Sequence, residues 1–377
     1  MTPPLRPTVA VVDASALVHN VEALGARVRR PMMGIVKANA YGHGLVDAAR
    51  IFVDAGVSAL GVAFLEEGIE LRRAGIQAPI LVLGGIIGNQ IRAFIDHDLS
   101  MTASSVFKLQ QISAAAEGTK RFASVHLKID TGMGRIGMQW DTASELLEAA
   151  RTASRCRIDG IFSHLATAED AEPEQTQLQR ARFEEATGPY AGLAPRHLAN
   201  SGAILQHPDT WYDMVRPGLA LYGVAPREGL ASVIALRPAL SLYSRVVYFK
   251  VLEPGRTVSY GATWTTPRRT RVITLPVGYG DGYPRRLSNR AQVVVRGQRA
   301  PVVGRVTMDA VMVDIGPDGT AYNGDPVLLL GDGSISVHEM ARWQETSPYE
   351  VLTAINTRVP RVIVDEPGPP KSWSVAP

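Results

Sequence analysis

The sequence predicts an α/β chain: a (β/α)8 TIM barrel followed by a mainly β domain. Three observations carry that prediction. Over roughly the first 230 residues, short β-type runs alternate with helical runs every 20 to 35 residues or so, the rhythm of strand–helix units. Eight such strands can be counted, the number that closes a parallel barrel with right-handed crossovers. Beyond about residue 230 the helical runs nearly vanish, and β-branched stretches divided by Pro and Gly replace them. An open doubly wound sheet is the competing arrangement for the same alternation.

The expected strands are GIVKA (34–38), ALGVAF (59–64), PILVLGG (79–85), SMTASS (100–105), ASVHLKID (123–130), IDGIFSHLA (158–166), RHLANSG (196–202) and YDMVRPG (212–218). Between them, LEEGIELRRAGI (65–76) and DTASELLEAARTASR (141–155) repeat apolar residues at steps of three and four, as amphipathic helices do. The second domain reads from RPALSLYSRVVYFKVLEPGRTVSYG through TRVITLPVG and AQVVVRGQRAPVVGRVTMDAVMVDIG to DPVLLLG, with helices expected only at HEMARW and SPYEVLTAINTRVP. The expected boundaries are 10–230 for the barrel and 231–377 for the β domain, with residues 1–9 a candidate to join the latter. The closing PGPPKSWSVAP reads as a loose tail.

With 377 residues and 46% apolar content, the chain can bury a large core. Its apolar runs are broken well before the roughly 20 residues of a membrane span, and MTPPLRP lacks the apolar stretch of a signal peptide. A cytoplasmic protein is expected. Cys156 is the only cysteine, which excludes an intramolecular disulfide and a thiolate metal cluster. The net charge of +3 and pI near 9.0 suit anionic ligands, but Lys and Arg are dispersed, so no nucleic-acid partner is expected.

Chemistry in such a barrel gathers at the carboxyl ends of the strands. Lys37 ends the first strand, Asp130 the fifth, with Arg135 in the following TGMGR loop; His164 ends the sixth, Asn200 and Ser201 the seventh, and Arg216 the eighth. A charged residue at the end of a buried strand costs free energy unless it is paired, neutralised or used. The glycine-bearing loops NSGA (200–203) and RPGLALYG (216–223) let backbone N–H groups approach an anion. A lysine across a small barrel from a phosphate cradle suits pyridoxal 5′-phosphate, whose aldehyde reacts with the amine while the loops hold the phosphate. Desolvation favours the neutral, nucleophilic amine.

The blocks VKANAYGHG (36–44), HLKIDTGMGRIG (126–137), GIFSHLA (160–166), HLANSGA (197–203), VRPGLALYG (215–223), VSYGATW (258–264), PVGYGDGYPR (276–285), GRVTMDAVMVDI (304–315) and SPYEVLTAINTRVPR (347–361) resemble alanine racemase, a fold-type III pyridoxal-phosphate family, in order along nearly the whole chain. The resemblance implies that Lys37 is the Schiff-base lysine and the acid/base on the D-face, with Tyr260 the opposite base on the L-face. Racemisation needs two groups flanking a planar carbanion, since a single base returns the proton to its original face. An ordinary tyrosine, with a pKa near 10, is a poor base at neutral pH; by family likeness its helper is His164, itself held by Arg216. An arginine facing the pyridine nitrogen cannot hand it a full proton, which weakens the ring as an electron sink and suppresses transamination and decarboxylation.

By the same likeness, Tyr41, Ser201, the backbone around Gly218 and Leu219, and Tyr349 hold the phosphate. Arg135 touches the phenolic oxygen of the cofactor and the substrate carboxylate, and Met308 completes the carboxylate site through its backbone N–H. Asp309 orients its neighbours, and Lys128 is a candidate for carbamylation that orients Arg135. Thr307 replaces a cysteine common in relatives, Tyr279 and Tyr283 line the access corridor, and His43 and His197 support the barrel rim. The family acts as a homodimer in which the tyrosine of one chain reaches the lysine of the other; by the same likeness the product is D-alanine for peptidoglycan, with D-alanine breakdown the alternative role. The alternatives are a decarboxylase of basic amino acids, which would place an acidic group where Arg216 stands; a racemase of broader specificity that accepts serine; and a non-catalytic carrier of the cofactor, which would need only the barrel.

Overall fold

The computed structural model describes residues 5–119, 121–366, 368–370 and 373. The chain divides into two compact units, one made of Leu17–Ala40 and Leu45–Leu236, the other of the first 16 residues, Tyr41–Gly44 and everything from Arg237 onward.

In the first unit, the strands Met33–Ile35, Ala59–Val62, Ile80–Val82, Met101–Ala103, Ala123–Asp130, Cys156–Phe162 and Arg196–His197 run in that order. All pair in parallel, from Met33 against Ala59 to Ile161 against Arg196, with Leu81 bridging Ser100 between the third and fourth. The eighth expected strand is reduced to two residues, but they close the ring: Met214 bridges His197 and Val215 bridges Met32, both in parallel. A closed barrel results, and the open sheet is excluded.

The strands are shorter than the runs suggested because chain leaving the strand ends turns into site-forming loops. Helices cover the outside. Leu65–Arg73 carries Glu66 and Glu67 in its first turn and Arg72 and Arg73 in its last, the order favoured by the helix dipole. It stops before Gly75, whose φ of 88° few other residues tolerate. The helix expected over 141–155 is confined to Ala143–Arg151 behind a 3-10 turn at Trp140–Thr142, and it buries Ala143, Leu146, Leu147 and Ala150.

The second unit is built on a six-stranded sheet in the order Gln298–Pro301, Gln292–Val295, Pro326–Leu330, Leu240–Arg245, Val9–Asp13, Arg361–Val364. Tyr248–Leu252, Thr270–Leu275 and Val311–Asp314 form a separate antiparallel sheet. The helices Val337–Gln344 and Pro348–Ala354 are capped by Ser336 and Ser347, whose hydroxyls accept from the N–H groups of Glu339 and Glu350. Val9, Val11, Tyr243 and Leu328 make one buried cluster, and Trp373 completes it.

The tail is therefore not loose at Trp373: Arg245 donates to its carbonyl at 3.1 Å and lies over its ring. The indole buries enough apolar area to fix the chain there; residues 367, 371–372 and 374–377 lie outside the described residues. Among the described residues, no helix is long and apolar enough to cross a membrane.

Candidate active site

The strand entering from Met33 ends at Ile35, before Lys37. Ala38, Asn39, Ala40 and Tyr41 then adopt φ of 54°, 55°, 53° and 51°, a left-handed turn of four non-glycine residues. Each such residue costs about 1–2 kcal/mol, and strain of this kind persists only where surrounding contacts enforce it. Two contacts do so. The Ala38 N–H donates to Glu67 at 2.7 Å, and the Leu45 N–H donates to the Asn39 side chain at 2.8 Å. Glu67 also accepts from the N–H groups of Ala63 and Phe64, tying the lysine turn to the end of the next strand. Burial lowers the Lys37 amine, Arg135 lowers it further, and Glu67 opposes them.

On the strand Ala123–Asp130, Lys128 is buried with its Nζ 4.3 Å from the centre of the Phe162 ring. Burial holds this amine well below its usual value, Arg216 and Arg135 reinforce the shift, and Asp130 resists it. The Asp130 carboxylate accepts from the backbone of Gly132 and Gly134 and so shapes the loop that bears Arg135. His164 follows the next strand; burial, then Lys128, Arg216, Arg135 and Lys37, hold its imidazole well below the usual histidine range. Five of the expected rim residues thus share one electrostatic environment.

Ser201 is buried, and its hydroxyl oxygen accepts from the N–H groups of Gly218 and Ala220, which draws the glycine loop and Leu219 against it. Asn200 accepts from Ala203 and starts the helix Ser201–Gln206. Arg216 donates to His197 and to the carbonyls of His197, Leu198 and Ser163. Among the described residues none of its hydrogen bonds runs to His164, the partner that the resemblance implied. Burial lowers its guanidinium to about 9, which leaves it cationic at neutral pH.

The remaining expected residues lie in the second unit. Tyr260 sits in a turn where Ser259, Gly261 and Ala262 have φ of 65°, 72° and 49°, and Ser259 donates to the Arg305 carbonyl at 2.6 Å. Its side chain is 71% exposed. It borders a groove of about 400 Å³ shared with Tyr248, Lys250, Thr307 and Met312. The TMD turn is docked on the GYGD turn: Tyr279 and Gly280 donate to the carbonyls of Thr307 and Met308.

Asp309 accepts from Arg358 at 2.7 Å, and Arg358 also pairs with the buried Asp281, which Arg6 reaches at 2.6 Å. Tyr41 and Tyr349 are ring neighbours at 6.1 Å, and burial raises the Tyr41 phenol. Tyr283 is buried and its phenol likewise raised, whereas Tyr279 is exposed. His43 accepts or donates at the Tyr41 carbonyl, 3.0 Å away.

Sequence reasoning passed over Glu67, Asp281 and Arg358. Glu67 gives no local signal beyond its place in the first turn of a helix, because its acceptor role depends on a strand end 29 residues earlier. Arg358 and Asp281 meet across 77 residues of chain, and nothing in the spacing announces it.

Comparison with known proteins agrees with the blocks read above. Residues 12–226 match the family described as Alanine racemase, N-terminal domain, and residues 239–363 match Alanine racemase, C-terminal domain. The alanine racemase of Symbiobacterium thermophilum is 45% identical over 365 residues, which is 95% of this chain and 97% of that relative. The crystal structure of alanine racemase from D-cycloserine-producing Streptomyces lavendulae superposes with a TM-score of 0.92 at 37% identity, covering 98% of this chain and 100% of that one. A histidine racemase from Leuconostoc mesenteroides shares the fold at a TM-score of 0.88 and 30% identity, covering 96% and 99% of the two chains. With both domain families matched in order and relatives aligned along almost its whole length, the chain belongs to the alanine racemase family.

Proposed function

We propose that the protein interconverts L- and D-alanine with pyridoxal 5′-phosphate, as a homodimer whose active sites are shared between subunits. The observation that carries this reading is the charge balance of the barrel rim. Lys37, Lys128, Arg135 and Arg216 all bear on His164, and the two carboxylates nearby, Glu67 and Asp130, are engaged by backbone N–H groups. Such a surplus of cations suits a ligand bearing a phosphate, a phenolate and a carboxylate. An amine that burial makes less basic suits an aldehyde. The residues fit the cofactor.

When bound, pyridoxal phosphate supplies the electron-withdrawing ring that makes the alanine Cα–H acidic. Lys37 takes or returns the proton at Nζ on the D-face, and Tyr260 of the partner subunit does so at Oη on the L-face. His164, kept neutral by burial and by its cationic neighbours, assists that tyrosine by hydrogen bonding and not as a charge. Arg216 would donate to the ring nitrogen and, staying protonated, would withhold a proton from it. Arg135 and the N–H of Met308, which donates to no described residue, hold the carboxylate. Tyr41, Ser201, Gly218, Leu219 and Tyr349 would hold the phosphate, and Asp309, anchored by Arg358, would fix the Met308 turn. Burial, which lowers the Lys128 amine, favours the form that can be carbamylated, and carbamylation would give Arg135 an anionic partner. The setting is the cytoplasm, and the product is D-alanine for peptidoglycan.

A cationic Arg216 disfavours the decarboxylase reading, and a β unit carrying the VSYG and TMD blocks exceeds what a carrier needs. The Leuconostoc relative, a histidine racemase by name, shows that the fold hosts larger side chains, so serine belongs in the substrate panel. Chiral analysis after incubating purified protein with the cofactor and L-alanine, L-serine, L-histidine or L-lysine tests the proposal. D-Alanine formed fastest supports it; amine release or no reaction with alanine rejects it.

A further inference from the structure

Behind Arg216 lies a line of hydrogen-bonded side chains inside the barrel. Arg216 is only 3% exposed. Its Nη1 donates to His197 Nδ1 at 2.9 Å and to the His197 carbonyl at 2.7 Å, and its Nη2 donates to the carbonyls of Ser163 at 2.7 Å and Leu198 at 3.0 Å. A guanidinium carries five N–H groups, so among the described residues these bonds leave the Nε–H alone uncommitted.

Arginine can only donate, so His197 Nδ1 must present a bare lone pair. In the neutral ring the proton then sits on Nε2, which lies 2.9 Å from Nδ1 of His126. That nitrogen therefore accepts, and His126 carries its own proton on Nε2. One permanent donor sets the tautomer of two rings. Burial keeps both uncharged, with His126 lowered to about 4.

Packing enforces the same arrangement. The His197 ring is stacked on Phe162, with centroids 5.0 Å apart and planes 1° from parallel, and His126 meets it edge-on. Gly160 faces His126 across the strand pair. A Cβ there would overlap His126 Nδ1 and stand 2.8 Å from His197 Nε2, inside the hydrogen bond itself. Glycine is what lets the two histidines touch.

We propose that His197 and His126 are positioning residues for Arg216, a tautomer-locked pair that holds the guanidinium rigid and leaves one directed N–H for the ligand. The inference deepens the function proposed above and rests on its assignment of Arg216. A charged or inverted His197 would turn an N–H toward Arg216, break the contact and free the guanidinium to swing.

Nitrogen NMR of ¹⁵N-histidine-labelled holoenzyme reads the lock directly. His197 and His126 should each show an unprotonated Nδ1 and a protonated Nε2, unchanged between pH 6 and 9; a protonated Nδ1 on either overturns the proposal. In kinetics, His197→Phe keeps the stack and removes the acceptor. It should lower kcat about 100-fold, as a misdirected group does, with KM for alanine changed less than about twofold and a larger share of turnovers ending in transamination. His197→Asn, whose Oδ1 can accept from Arg216, should recover activity to within about tenfold of wild type. A His197→Phe enzyme as fast as wild type overturns the proposal, and should it fail to fold, the NMR result decides. A wild-type protein that racemises nothing rejects the proposed function and leaves the tautomer result standing.

Discussion

At Lys37, burial and a neighbouring arginine lower a pKa; at His164 and His197, burial does the same with several cations adding to it, and at His126 burial outweighs the opposing Asp159 with Arg216 adding to the shift. For the histidines the consequence is a stability that depends on pH with a definite sign. Each binds a proton less readily folded than unfolded, so below the unfolded value of 6.5 the unfolded chain holds more protons and folding weakens. Stability should be full above pH 7 and fall toward pH 4, with each histidine adding up to about 1.4 kcal/mol per pH unit. Urea midpoints at pH 7.5, 6 and 5 check this. A flat profile would mean that these rings are not buried neutral. For the two proposed bases the expectation is kinetic: Tyr260→Phe should lower kcat by about 10²–10⁴ without loss of folding, since the side chain is largely exposed.

Among the elements, the left-handed turn after Lys37 is the most unusual, and it was hidden in the sequence. GIVKA reads as a strand continuing through the lysine, whereas the chain turns left-handed at Ala38 without a single glycine in the next three positions. Ala–Asn–Ala announces no such turn; the conformation is imposed by Glu67 and by the Asn39 side chain. Asn39→Ala removes one of these restraints and should cost about 1 kcal/mol, read as a lower urea midpoint; an unchanged midpoint would mean that the turn holds itself.

In the β unit, Gly282 has φ of 93°, and a Cβ there would overlap the Ala354 carbonyl at the end of the last helix. Gly282→Ala should cost more than about 2 kcal/mol; native-like stability would contradict the packing. Here the sequence was more legible, since GYGDGYPR marks a tight turn by its glycines, although nothing in it reveals the ion pair of Asp281 with Arg358.

For the whole molecule, the alternation of strands and helices revealed the barrel because parallel strands buried on both faces leave a strong apolar signature. Its closure rests on Met214 and Val215, the middle of the expected run YDMVRPG, whose flanking residues leave the ladder for loops. The strand-end rule groups Lys37, Arg135, His164 and Arg216, and Arg216, Arg135 and Lys37 each lower the His164 imidazole. The hydrogen bonds of Arg216 to His197 were not legible, because contacts between residues on different strands leave no trace in spacing.

A shared active site has its own test. Inactive Lys37→Ala and Tyr260→Phe proteins, unfolded and refolded together in equal amounts, should regain about a quarter of wild-type activity, because half of the dimers then hold one site with both groups intact. No recovery would place both groups in one chain.

The two-base account is tested most directly by the α-proton of alanine in D₂O with Tyr260→Phe. With the L-face group gone and Lys37 intact, D-alanine should exchange its α-proton for deuterium without inversion, while L-alanine exchanges far more slowly. Racemisation at the wild-type rate, or exchange of L-alanine in preference to D-alanine, would contradict it.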